Sequence, residues 1–122
     1  MTEAEEQEML FQWADIQSVK YPALRLMFHI PNEGKRSMAY AMKLKQRGVK
    51  PGVPDIFLPV PINDYAGLFI ELKRADGGKL STEQTFYLAE LRKLGYQASV
   101  CYGFDEAAVR IKAYLEGDTN GL

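Results

Sequence analysis

The chain has 122 residues, 47% of them apolar and 25% charged, with a net charge of −1, which suits one domain built on one hydrophobic core. One cysteine and one histidine exclude an intrachain disulfide framework and argue against a thiolate or imidazole zinc cluster within the chain. No apolar run is long enough to span a bilayer, and the acidic first residues are unlike a secretory signal, so the expected location is the cytoplasm, or the cytoplasm of a host cell.

Thr2-Glu3-Ala4-Glu5 has the form of a capping box, with Thr2 as N-cap and Glu5 reaching back, and predicts a helix ending near Gln17. Met9, Leu10, Trp13 and Ile16 recur at helical spacing, and Glu6 falls on that inward stripe. A carboxylate there calls for a partner, because an unpaired buried charge is costly; the alternative is a hydrated first turn that benefits only from the helix dipole. After Tyr21-Pro22, residues 24–30 alternate as a strand with Leu24, Leu26, Phe28 and Ile30 on one face. His29 shares the other face with Arg25 and Met27, and a lone histidine is more often structural than catalytic. Residues 31–34 read as a loop. A helix over 37–47 carries Met38, Ala41, Met42 and Leu44 and ends at Gly48.

The stretch 53–74 then reads as two apolar strands joined by a loop over 61–66. Along 67–73 the period-2 rule places Leu68, Ile70 and Leu72 on one face and Phe69, Glu71 and Lys73 on the other, so Glu71 and Lys73 project side by side. Asp55, directly after Pro54, opens the first strand, and pairing the two strands brings its carboxylate toward Glu71. Two carboxylates and an ammonium suit a hard divalent cation and a hydrolytic water. Residues 76–79 form a turn. Ser81-Thr82-Glu83-Gln84 is a second capping box, opening a helix to Leu94 with Tyr87, Leu88, Leu91 and Leu94 inward and Gly95 as its stop. Gln84 lies on that inward face as well, where capping alone would account for it. Residues 97–102 form a strand in which Cys101 packs as a small hydrophobe. Asp105 is placed to cap a last helix to about Leu115, and residues 116–122 read as a frayed tail. The order α-β-α-β-β-α-β-α describes an α/β fold, a mixed sheet of about four strands flanked by helices.

Charge is unevenly spread. Glu3, Glu5, Glu6, Glu8 and Asp15 precede the first basic residue, Lys20, whereas Lys35, Arg36, Lys43, Lys45, Arg47 and Lys50 occupy a segment free of acids up to Pro54. A near-neutral chain can thus present a basic face for phosphates, although a solvated lysine-rich helix would look the same.

Asp55 followed by Glu71-Leu72-Lys73 reproduces the PD-(D/E)xK signature, with Pro54 supplying its optional proline. The chain resembles the virus-type replication-repair nuclease (VRR-NUC) domain through residues 30–36, Gly48-Val49-Lys50-Pro51-Gly52-Val53-Pro54-Asp55, Glu71-Leu72-Lys73-Arg74, Leu80-Ser81-Thr82-Glu83-Gln84 and Gly95-Tyr96. The resemblance covers nearly the whole chain. It implies a restriction-endonuclease-like PD-(D/E)xK core over residues 1–122, acting as a stand-alone, divalent-metal-dependent DNA endonuclease. By the same resemblance Asp55, Glu71 and the carbonyl of Leu72 hold Mg²⁺ or Mn²⁺, Lys73 orients the attacking water, and Gln84 stands beside the site. Glu6 becomes the first helix's acid, preferred over Glu3 because it lies nearer the centre of the apolar stripe. Lys35, Arg36, Lys43, Lys45, Arg47, Lys50 and Arg74 are the candidates for holding the DNA backbone, with Lys79 as an addition. Small members of the family resemble dimeric Holliday-junction resolvases, so the leading expectation is a homodimer acting on a four-way junction.

Carboxylates rather than His or Cys suit Mg²⁺ or Mn²⁺. The alternatives are a 5′ flap or general structure-selective endonuclease, and a non-catalytic DNA-binding module on a degenerate nuclease fold. An unrelated metabolic α/β enzyme lacks support, since there is no glycine-rich phosphate loop or nucleophile elbow.

Overall fold

In the computed structural model, which describes residues 1–31 and 37–117, four strands form one mixed sheet in the order β1 (Phe28–His29), β2 (Ile56–Leu58), β3 (Leu68–Lys73), β4 (Gln97–Tyr102). The first three strands are antiparallel neighbours, and β3 pairs in parallel with β4. A parallel pair needs a crossover, and α3 (Thr82–Lys93) supplies it. Helices α1 (Glu3–Gln17) and α4 (Phe104–Leu115) cover one face, and α2 (Met38–Gln46) stays at the surface with no buried residue.

The alternation along β3 decides which face is core. Leu68, Ile70 and Leu72, with Ile56 and Leu58 opposite them, pack on Leu10 and Ala14 of α1 and on Ala107, Ile111 and Tyr114 of α4. Burial of each large aliphatic side chain stabilises by about 1.5–3 kcal/mol, and truncating Leu10 to alanine would cost about 2–5 kcal/mol through the cavity left behind. On the other face Phe57 and Phe69 stack with ring centroids 4.2 Å apart, and Phe28 and Tyr96 meet them edge-on.

Both capping boxes form. The Thr2 hydroxyl accepts from the Glu5 amide while Glu5 Oε1 accepts from the Thr2 amide, and Ser81 and Gln84 exchange the same pair of bonds. Gly48 and Gly95, both at positive φ, follow the ends of α2 and α3 as expected.

Five expectations need correction. The strand over 24–30 is instead a 3-10 helix, Pro22–Leu26, followed by the two residues of β1. Pro22 favours a first helical turn, and Leu24 and Met27, three residues apart, are the buried ones; that spacing suits a 3-10 turn and leaves Leu26 exposed. In α1 the buried line is Glu6, Leu10 and Ala14, with Ile16 at the surface, and small Ala14 allows α1 to approach its neighbours. Leu94 caps α3 from the exposed side instead of facing inward. Asp105 lies inside the first turn of α4, after Gly103, which has no side-chain cap to offer. Residues 116 and 117 are tied down, Glu116 accepting from the Tyr21 hydroxyl and the Gly117 carbonyl from the Asn63 amide, while 118–122 lie outside the described residues.

Candidate active site

Three elements meet at one end of β3. The antiparallel register pairs Ile56 with Ile70, so continuing it by one residue sets Asp55 across from Glu71 on the same side of the sheet. Asp55 Oδ2 accepts from the Leu72 amide at 2.8 Å. Its main-chain carbonyl accepts from the Ile30 amide at 2.6 Å and lies 2.9 Å from His29 Nδ1. His29 thus supports the backbone that carries Asp55. The turn before Asp55 presses against α3: at Gly52, φ is +88° and a Cβ would lie 2.4 Å from the Glu83 carbonyl, so only glycine allows this approach.

Glu71 is 2% exposed. Its Oε2 accepts from Gln84 Nε2 at 3.1 Å and lies 3.7 Å from Lys73 Nζ, while Lys73 donates to Gln84 Oε1 at 3.3 Å. Gln84 therefore serves both expected purposes at once, since the same Oε1 accepts from the Ser81 amide in the capping box. Glu71 Oε1 is buried without a hydrogen-bond partner. Burial, reinforced by the negative charge of Asp55, pushes the Glu71 carboxyl up to about 8 against the opposing pull of Lys73. An orphaned buried oxygen beside a second carboxylate, with the pair resisting double ionisation, is a donor set that a divalent cation would complete. Among the described residues no cluster of three or more His, Cys, Asp or Glu side chains forms. Two carboxylates plus main-chain carbonyl and water suit Mg²⁺ or Mn²⁺, and Mg²⁺ characteristically keeps several waters.

Glu6 is buried, as an inward acid should be, but its partners are main-chain groups. Its Oε2 accepts from the Ala75 amide at 3.1 Å and its Oε1 from the Phe104 amide at 3.2 Å. It therefore caps α4 from another helix and ties the end of β3 to it, a task that Gly103 cannot perform for itself. Glu3, one turn earlier and exposed, adds the smallest of the charges that raise Glu71. Sequence spacing did not separate the two, because residues three apart share a helical face. Lys43, Lys45, Arg47 and Lys50 are exposed on α2 and the turn after it. Arg74 is exposed beside β3 and pairs with Asp76 at 3.4 Å, and Lys79 is exposed in the turn that follows. Lys35 and Arg36, with the expected loop over 31–34 from Asn32 onward, lie outside the described residues.

A mixed sheet presenting an aspartate and a Glu-x-Lys from neighbouring strands defines a fold of the PD-(D/E)xK kind. Residues 2–105 match the profile of the VRR-NUC domain. A solved structure described as a VRR_NUC domain protein is similar, with a TM-score of 0.82 and 31% sequence identity over 95% of this chain and 89% of that one. No curated protein matches the chain. The chain belongs to the VRR-NUC domain family, and membership implies a DNA-binding nuclease of the PD-(D/E)xK type. No helix among the described residues is long and apolar enough to cross a membrane.

Proposed function

We propose that the protein is a divalent-metal-dependent, structure-selective DNA endonuclease whose leading substrate is a four-way junction cut by a homodimer. The observation that carries the reading is the buried, unpartnered Glu71 oxygen beside Asp55, with Lys73 3.7 Å from the same carboxylate. Asp55, Glu71 and the Leu72 carbonyl would hold Mg²⁺ or Mn²⁺. When bound, the ion supplies Lewis acidity at the phosphoryl oxygens and lowers the pKa of a coordinated water.

Lys73 keeps its ammonium beside the reacting phosphate, where it orients the attacking water and offsets the negative charge that grows on the phosphoryl oxygens. Water forms the new P–O bond as the bond to the leaving sugar oxygen breaks, and that oxygen takes up a proton. Gln84 fixes both Lys73 and Glu71, so neither side chain must reorganise during the reaction. Glu3 adds negative charge that favours cation binding, and Glu6 holds the scaffold. Lys43, Lys45, Arg47, Lys50 and Arg74, together with Lys35 and Arg36, contact the DNA backbone; such contacts position the duplex without reading its bases. Two centres related by a two-fold axis would nick a junction symmetrically.

The deciding experiment compares cleavage of labelled four-way junction, 5′ flap and linear duplex with Mg²⁺, Mn²⁺ or EDTA, using wild type and Glu71→Ala. Paired, metal-dependent nicks in the junction that vanish in the variant are expected. Preferential flap cutting would replace the substrate assignment, and binding without cleavage of any DNA would make the protein a binding module.

A further inference from the structure

Sharing α3 with the centre is a groove of about 450 Å³ walled by Lys45, Val49, Pro51, Thr82, Phe86 and Tyr87, a volume suited to a small organic group. Phe86 is 61% exposed, and its ring meets that of Tyr87 edge-on with centroids 6.4 Å apart. The core does not require an aromatic there. Lys50 and Glu83 complete the lining. The next residue, Gln84, bonds Glu71 and Lys73, and Pro51 belongs to the turn that leads to Asp55, so the same two segments serve groove and centre.

We propose that this groove receives an unpaired nucleobase from the DNA strand whose phosphodiester occupies the centre, the base stacking on Phe86 and an adjacent phosphate meeting Lys45. The assignment rests on the nuclease reading and narrows its substrate to strands that offer an unstacked nucleotide beside the cleaved bond, as a flap does or as the branch point of a four-way junction does when its pairs open. Charge complementarity supports it, because an exposed aromatic ring in a groove lined by lysines matches the two halves of a nucleotide, its π-face and its phosphate. A base inside a duplex has both faces covered by its neighbours and cannot enter. Any base fits by stacking alone, so the groove selects structure rather than sequence.

The test uses the full chain in EDTA with a short single-stranded oligonucleotide carrying one 2-aminopurine, and the same strand in a fully paired duplex. Wild type should quench the unpaired probe on binding. Phe86→Ala should weaken that binding about tenfold and leave duplex binding unchanged, Phe86→Trp should restore it, and Lys45→Ala should flatten its salt dependence. Because Phe86 is exposed, an unchanged melting temperature in Phe86→Ala excludes a folding defect. Equal affinity of wild type and Phe86→Ala for the unpaired probe, or equal loss for both probes, would overturn the proposal. So would a change in sedimentation with DNA binding intact, which would mean that a second copy or a peptide surface fills the groove. Cleavage of the same DNAs in Mg²⁺ judges the nuclease reading separately: cutting without any Phe86 effect removes the groove alone, whereas Phe86-dependent binding without cutting keeps the groove and removes catalysis.

Discussion

Glu6 and Glu71 are both glutamates buried in the same small domain, 5% and 2% exposed, yet their surroundings differ in kind. Each oxygen of Glu6 accepts from a main-chain amide, at Ala75 and at Phe104. Glu71 has one oxygen served by Gln84 and one left unpartnered, with Asp55 raising its proton affinity. A buried carboxylate that is fully hydrogen-bonded acts as a strut. One left short of partners next to another carboxylate marks a place where a cation is expected. Burial alone would not tell the two apart; the partner count does.

The comparison breaks most sharply at Glu71. Glu71→Ala should reduce metal-dependent cleavage by roughly 10³-fold or more, while melting in EDTA stays level or rises because an uncompensated polar atom leaves the interior. A variant that still cuts at the wild-type rate would remove Glu71 from the centre. Glu6→Ala should do the reverse: a stability loss of about 2–4 kcal/mol, from two amides left without acceptors, with cleavage by the folded fraction nearly unchanged. Denaturant melts and single-turnover rates on one preparation separate these effects. Lost cleavage at full stability would return Glu6 to the chemistry.

Gln84→Ala sharpens the contrast, because this residue belongs to both worlds. Losing its share of the capping box should cost about 1 kcal/mol, and releasing Lys73 and Glu71 should slow cleavage about tenfold. Stability loss with undiminished activity would reduce it to a cap.

The smallest effect is one of pH. Glu71 is raised from the usual 4.5 to about 8 in the fold, so the folded state holds a proton that the unfolded chain has released. Its contribution to stability is complete below about 4.5 and is lost as pH rises through about 8. In EDTA the stability difference between wild type and Glu71→Gln should therefore move against wild type across that window. Saturating Mg²⁺ should counter the trend, because binding to the ionised pair releases the proton. Glu3→Gln should shift the window slightly downward by removing a neighbouring negative charge. A flat difference across the window would place the proton elsewhere.

Much of this was legible beforehand where the determinants are local. The period-2 alternation of β3 placed Glu71 beside Lys73, and the capping boxes at Thr2 and Ser81 and the stops at Gly48 and Gly95 follow from hydrogen-bond needs within one turn of chain. The region over 24–30 misled because its apolar residues satisfy two periods at once, and burial of Leu24 and Met27 selected the 3-10 turn. Asp105 looked like a cap because Asp often is one, but Glu6, 98 residues away, supplies an acceptor to the Phe104 amide at the start of α4.

The amino-acid sequence by itself determined the order of elements, the pairing of two carboxylates with a lysine on adjoining strands, and the class of chemistry that such a trio suits. Only the tertiary structure decided what each acid of the first helix meets. Glu3 and Glu6 share one helical face, and they differ because folding leaves Glu3 exposed while it brings the Ala75 and Phe104 amides to Glu6.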